Sequence, residues 1–522
     1  MGFSEEKLDE YRSFFEQLKE NGKLTRLGKL FRTKENGYIY DMGTGKVLMC
    51  DENEFKVLES IFENDGIDSL DTLQMKETDI LDSLCNIRSI VNNENILKAP
   101  PLTEFSSIHS DFDSLKDNIE NRLEQITLEL TEKCNLRCKY CIYSDNNSTH
   151  RDFDSNDMNW ETAKEAIEYG MAHSGERLSI AFYGGEPLLK FDLLKQCVDF
   201  TKQIKGNKEI IHSMTTNMVL VTKEIAEYVA SVDQFCVVCS LDGPKEIHDD
   251  NRLTVDGNGS FEKAIQGLKY LVDAYKDRAS KYLSLSMVMT LPATPEKLQK
   301  IQSFFESLEW LPNDLVKNIS YVSNSSHRSE RLLKKSKELN KESVSEFTNP
   351  ITDWTIANTI FNDKVDENKI FTSDFAQSSH LRIHKRMIVD EAVGCYNLNG
   401  CCIPASRRLY VTAKGDFSLC EKIGNAPYIG NIRDGVDLES VKKHYIDDYM
   451  NYAKELCSDC WAVRLCGLCY VDCYDEKGFR PEFKVDSCGS ALFGAEQALI
   501  NYHEILERHP ERLEYLNNVV MG

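Results

Sequence analysis

The stretch Gln125-Ile-Thr-Leu-Glu-Leu-Thr-Glu-Lys-Cys134-Asn-Leu-Arg-Cys138-Lys-Tyr-Cys141 decides how the rest of this 522-residue chain is read. Ile126–Leu130 has the character of a β-strand, and three cysteines follow it at once in the spacing C-x3-C-x2-C. Working outward, strand-like segments recur at Leu178–Tyr183, Ile210–Thr215, Phe235–Ser240, Leu283–Met289 and Val316–Val322. Helical stretches lie between them, around Trp160–His173, Leu193–Ile204, Lys223–Ala230, Phe261–Asp277 and Pro295–Leu308. Such alternation predicts an α/β fold with a parallel sheet and helices packed outside it. Six βα units make a partial (β/α)6 barrel, spanning 124–325, with chemistry at the C-terminal strand ends where the loops converge.

Motifs stand at those ends. Three thiolates can hold three corners of a cubane iron–sulfur cluster, which leaves one iron open to a ligand. Tyr183-Gly184-Gly185-Glu186-Pro187 closes the second strand, where glycines let backbone approach a ligand closely. Thr215-Thr216-Asn217 ends the third strand and Ser240-Leu241-Asp242-Gly243-Pro244 the fourth, bringing donors and acceptors suited to hydroxyl and carboxylate groups. Ile247-His-Asp-Asp-Asn-Arg252 follows.

The cysteine loop with its aromatic Tyr140, the Gly-Gly-Glu-Pro run and the strand-end motifs together resemble the radical S-adenosylmethionine (SAM) superfamily. The resemblance implies that Cys134, Cys138 and Cys141 hold a [4Fe–4S] cluster whose open iron is chelated by SAM, which is split reductively to a 5′-deoxyadenosyl radical. It implies SAM-binding roles for Tyr140, Gly184, Gly185, Glu186, Pro187, Asn217, Ser240, Asp242 and Arg252. The family usually has Gly after that Asn; here the residue is Met218. Zinc, or a solvated helix start in the case of Arg252, is the competing structural explanation of these residues.

Eighteen cysteines are present, and many gather near the C-terminus: Cys395, Cys401, Cys402, Cys420, Cys457, Cys460, Cys466, Cys469, Cys473 and Cys488. In a reducing compartment such spacings read as metal binding rather than disulfides. The region 391–490 resembles the SPASM domain, which carries two auxiliary clusters, so that three [4Fe–4S] clusters are implied in all. By resemblance Cys457, Cys460, Cys466 and Cys488 hold the outer cluster. Cys395, Cys401 or Cys402, and Cys420, with Cys469 or Cys473, hold the inner one. The family's usual fourth position falls on Tyr470 here, leaving that ligand open; an open iron there would accept a substrate thiolate. Glu421, directly after Cys420, is a candidate base. Cys50, Cys85, Cys197, Cys236 and Cys239 read as small core residues.

Residues 1–100 read as a small α/β module: a hairpin of Tyr38–Asp41 and Lys46–Cys50, then helices near Glu52–Phe62 and Glu77–Val91. It resembles the winged-helix leader-recognition element of enzymes that mature ribosomally made peptides, which takes up a precursor leader as an added strand. A linker (101–123), a helical bridging region (326–390) and a C-terminal helix (491–522) complete the expected organisation.

The resemblances together imply a maturase that abstracts hydrogen from a precursor peptide and forms Cys thioether cross-links, as in sactipeptide and ranthipeptide enzymes, with a flavodoxin or ferredoxin-type electron donor. Carbon–carbon cross-linking and formylglycine formation, as in anaerobic sulfatase-maturating enzymes, are the alternatives. A non-catalytic zinc or iron–sulfur binding protein is a third, and it leaves the strand-end motifs unexplained. A net charge of −23 argues against nucleic acid as partner, and the absence of an apolar run or signal-like start points to a cytoplasmic protein without a membrane partner.

Overall fold

The computed structural model describes residues 5–105, 112–143, 151–321, 350–361, 369–372, 379–396 and 400–519. Parts of the expected linker (106–111) and of the helical bridging region (326–349, 362–368 and 373–378) lie outside the described residues.

After helix α1 (Glu5–Lys19), an antiparallel meander forms from β1 (Gly28–Arg32), β2 (Gly37–Asp41) and β3 (Val47–Cys50), in that order. The Thr44 amide and hydroxyl donate to the buried Asp41 carboxylate, which closes the turn from β2 to β3. Helix α2 (Glu52–Asn64) begins at a reciprocal cap between Asp51 and Glu54, and α3 (Glu77–Glu94) ends on Asn95 at φ 56°. The first strand, β1, is one that the sequence pattern does not announce.

The central sheet contains six parallel strands in sequence order: β4 (Gln125–Thr131), β5 (Arg177–Gly184), β6 (Glu209–Thr216), β7 (Phe235–Ser240), β8 (Leu283–Met289) and β9 (Val316–Tyr321). Alternation decides which face of β4 meets the helices. Ile126, Leu128 and Leu130 are fully buried, and Gly170 of helix α4 (Trp160–His173) comes so close that a Cβ there would lie 3.1 Å from Ile126. Each such buried aliphatic side chain contributes about 1.5–3 kcal/mol. Thr127, Glu129 and Thr131 face the other way, into the concave side. Beyond β4, two short strands extend the sheet: β10 (Leu409–Val411), parallel to β4, and β11 (Phe417–Ser418), antiparallel to β10. The cysteine-dense region thereby joins the barrel sheet directly.

Helices α5 (Phe191–Ile204), α6 (Lys223–Ser231), α7 (Phe261–Tyr275) and α8 (Pro295–Ser307) follow β5 to β8 in turn, and helix α9 (Asp448–Cys457) and the long helix α10 (Pro481–Arg508) complete the C-terminal part. Helix α10 runs unbroken through Cys488 to Arg508, and a separate turn of 3-10 helix at Pro510–Asn518 follows. Helix α10 starts at Pro481, whose fixed φ and missing N–H suit a first helical turn. It packs along β1: Lys29 pairs with Glu496 at 2.9 Å, and Glu507 accepts from Tyr38, Asn36 and Thr33. Buried Arg26 donates to the carbonyls of Ser458, Ala99 and Pro100, tying the N-terminal module to the cysteine region. Among the described residues, no helix is long and apolar enough to cross a membrane.

Candidate functional site

The loop carrying Cys134, Cys138 and Cys141 leaves the C-terminal end of β4. Two glycines let it fold back against β5. Gly184 sits at φ +129°, and a Cβ on it would lie 2.2 Å from the Thr131 carbonyl; one on Gly185 would lie 2.1 Å from that of Lys133. Leu136–Cys138 then pairs antiparallel with Arg252–Thr254, setting Cys138 opposite Arg252. This small ladder leaves no pattern in the sequence, because three residues are too few for a periodicity.

The three thiols lie within electrostatic reach of one another on this loop. Burial pushes Cys134 up to about 12 and Cys138 up to about 11, and it raises Cys141. A metal must therefore displace these protons, which coordination does readily. Among the described residues, no three His, Cys, Asp or Glu side chains converge on a single-ion site. Three soft donors on one loop suit a cubane cluster, whose thiolates stand farther apart than those around one zinc ion.

Glu186 is fully buried and braces the neighbouring loops. Its carboxylate accepts from the Asn217 amide at 2.9 Å, the Thr216 hydroxyl at 2.8 Å and the Leu188 amide at 3.1 Å. Burial pushes it up to about 7 despite these donors. Asn217 in turn donates from Nδ2 to Asn135 at 2.8 Å and reaches the Cys134 sulfur at 3.9 Å. Met218 takes φ +64° with its side chain fully buried, so the loop keeps a left-handed turn without glycine. That strain costs about 1 kcal/mol. Pro187 opens the short helical turn after Glu186, and Ser240 is buried at the end of β7.

Asp242 has its carboxylate committed within the protein. It accepts from Arg252 at 2.9 and 3.1 Å, from the Val288 amide at 3.0 Å and from the Tyr140 hydroxyl. Tyr140, Asp242 and Arg252 thus form one buried unit behind Cys138.

The C-terminal cysteines divide in two. Cys457, Cys460, Cys466 and Cys488 all line one cavity of about 240 Å³. Burial pushes Cys457 up to about 11 and Cys460 up to about 12. The second group holds Cys401, Cys402, Cys420, Cys469 and Cys473: Cys401 is coupled to Cys469 and Cys473, Cys469 to Cys402, and Cys420 to Cys469. Tyr470 is buried beside them, with no hydrogen-bond partner for its hydroxyl. Cys395 lies on a two-residue strand paired with Glu104–Phe105, and its Sγ donates to Glu104 at 3.7 Å.

On the concave side of β4, β10 and β11 lies a cavity of about 480 Å³ lined by Glu129, Tyr143, Arg151, Ser418, Cys420 and Glu421 among others. Arg151 pairs with Glu129 across it, Nε to Oε1 at 2.8 Å. Phe417 of β11 packs on Tyr169 of α4, so Ser418 points to the opposite, cavity side, where its buried hydroxyl has no partner. Glu421 is held by Arg408 at 2.9 Å. None of these pairs is readable from sequence spacing.

The sheet thus carries the C-x3-C-x2-C loop at its first strand end and a further motif at each of the next three. Residues 128–305 match the family model described as the radical SAM superfamily, a family that uses SAM and a [4Fe–4S] cluster. The chain is 30% identical over 192 residues to a cysteine-type anaerobic sulfatase-maturating enzyme of Clostridium novyi, covering 36% of this chain and 49% of that one. It is 32% identical over 160 residues to the radical SAM cyclopropyl synthase TigE of Paramaledivibacter caminithermalis, covering 29% and 33%. The matches thus span half or less of these curated relatives. The solved structure of anSMEcpe with bound AdoMet shares the fold: TM-score 0.52 at 20% identity, over 76% of this chain and 96% of that chain.

Proposed function

We propose that this protein is a radical SAM enzyme that modifies a ribosomally made precursor peptide, forming Cys thioether cross-links. Cys134, Cys138 and Cys141 would hold the cluster, which with SAM would supply hydrogen-abstraction chemistry. The chain's own residues do the rest. The Tyr140–Asp242–Arg252 unit and the Glu186–Asn217 brace hold the cysteine loop and the SAM pocket in place. The cavity that Cys420 and Glu421 line is large enough for a side chain, and it lies between the barrel and the inner cysteine group.

The observation that carries the peptide reading is the N-terminal sheet. Edge β1 is covered by α10, whereas β3 is an open edge with Met49 63% exposed. A small apolar hollow of about 20 Å³ beside it is lined by Leu48, Met49, Ile87 and Ile90. An extended leader can add there as a fourth strand, backbone to backbone.

Formylglycine formation is the second reading, favoured by the similarity to a sulfatase-maturating enzyme. Co-expression with a short Cys-rich precursor separates the two. Loss of two hydrogens per bridge, with a Cys sulfur resistant to alkylation, supports thioether formation. Conversion of a single Cys or Ser of a sulfatase-type peptide to an aldehyde, with no bridge in the Cys-rich precursor, overturns it.

A further inference from the structure

Lys484 stands one helical turn before Cys488 on α10, in the wall of the cavity that Cys457, Cys460, Cys466 and Cys488 line. It is 2% exposed. Its Nζ donates to the Tyr449 hydroxyl at 3.2 Å and lies 5.0 Å from the centre of that ring. Among the described residues, no carboxylate comes within ion-pairing distance of it. Asp459, which also lines the cavity, is within electrostatic reach of Arg26 instead. The titratable groups within electrostatic reach of Lys484 are instead the thiols of Cys457, Cys473, Cys488 and Cys466. Arg382 repeats the pattern nearby: it is half-buried, and the Cys466 thiol is the one titratable group within its electrostatic reach among the described residues.

A buried ammonium without a counterion costs several kcal/mol. Neutral thiols cannot offset that cost, whereas metal-bound thiolates can. Tyr449 extends the contact further, because it also lies within electrostatic reach of Cys401 and Cys473 of the inner group. The cation is therefore placed between the two cysteine groups.

We propose that Lys484 is the fixed counter-charge of the outer auxiliary cluster, and that its ammonium holds that cluster at a higher reduction potential than the thiolates alone would give. The proposal rests on the reading that the two C-terminal cysteine groups bind iron–sulfur clusters. Adding an electron makes a cluster more negative, so a cation fixed beside it favours the reduced form. As Lys484 lies behind the ligands, it acts as a positioning and tuning residue.

The test uses the full chain with Cys134, Cys138 and Cys141 changed to Ala, so that only auxiliary clusters are read. Each variant is reconstituted anaerobically with iron and sulfide, assayed for iron, and titrated reductively under electron paramagnetic resonance. Lys484→Met should load the same iron, with its outer-cluster midpoint moved negative by at least tenfold in the reduction equilibrium, about 59 mV for one electron. Lys484→Arg should keep the original midpoint. Loss of auxiliary iron in K484M but not in K484R also supports the proposal, because the charge is then needed to hold the cluster. An unchanged midpoint in fully loaded K484M, or equal loss of iron from both variants, overturns it. If the chain with Lys484 intact binds no auxiliary iron, the cluster reading itself has failed, and the proposal with it.

Discussion

Asp242 and Arg252 form a two-pronged ion pair behind the cysteine loop, Nε to Oδ2 at 2.9 Å and Nη2 to Oδ1 at 3.1 Å, with side chains only 1% and 8% exposed. Arg252 also lies opposite Cys138 in the short ladder, so the pair holds the loop by its middle cysteine. Asp242→Ala leaves a buried guanidinium unpaired and should cost about 3–5 kcal/mol in denaturant unfolding of the metal-free chain. Removing both charges, as Asp242→Ala with Arg252→Met, should cost less than the sum of the two single changes. Strict additivity would show that the pair is not coupled.

Gly185→Ala places a methyl group 2.1 Å from the Lys133 carbonyl, and only backbone movement can relieve that clash. The expected result is a folded barrel that takes up less iron at the first site, measured as iron per chain in a variant lacking the C-terminal cysteines. Full iron uptake would show that the loop tolerates the shift.

His212 is buried between Phe182 and Phe235, ring centroids 6.3 and 6.1 Å away, and neither ring nitrogen has a hydrogen-bond partner. Burial lowers it from 6.5 to about 4, so in the folded chain it stays neutral. Between those two values the unfolded chain binds the extra proton and the folded chain does not, so stability falls as pH drops through that window. His212→Leu should flatten that acid limb and raise stability near pH 5 by about 1–2 kcal/mol, read from urea midpoints across pH. An unchanged limb would assign the slope to other groups.

Cys395 and Cys420 should behave differently. Cys395→Ser alters a thiol that faces Glu104, and auxiliary iron should be unchanged. Cys420→Ser removes a member of the inner group, and about one cluster's worth of iron should be lost. Equal losses from both would return Cys395 to the inner ligand set.

Met49→Asp puts a charge on the open β3 edge, where the side chain is exposed and the fold should be indifferent. Binding of a precursor leader should weaken at least tenfold, about 1.4 kcal/mol, by fluorescence anisotropy, while SAM cleavage without peptide is retained. Equal affinity would move the leader elsewhere.

The six barrel strands and the motifs at their ends were legible because each is local. A strand writes its burial every second residue, a helix every three to four, and a ligand loop needs its glycines and polar residues in a row. Strands β10 and β11 were not legible: with three and two residues they carry no period, and their partner β4 lies far away in sequence. The same holds for Leu136–Cys138 against Arg252–Thr254. Helix α10 was read from its apolar tail alone, since its first turns are polar and bury against the cysteine region only after folding.

By itself, then, the sequence determined the barrel, the three-cysteine loop and the inventory of further thiols, because local spacing specifies them. Tertiary structure alone decided how those parts are partnered. It committed Asp242 to Arg252, turned Glu186 into a brace, set the Cys395 thiol against Glu104, and buried Lys484 against thiols instead of carboxylates. These outcomes depend on which charges lose water together, and desolvation is a property of the packed molecule that no run of residues encodes on its own.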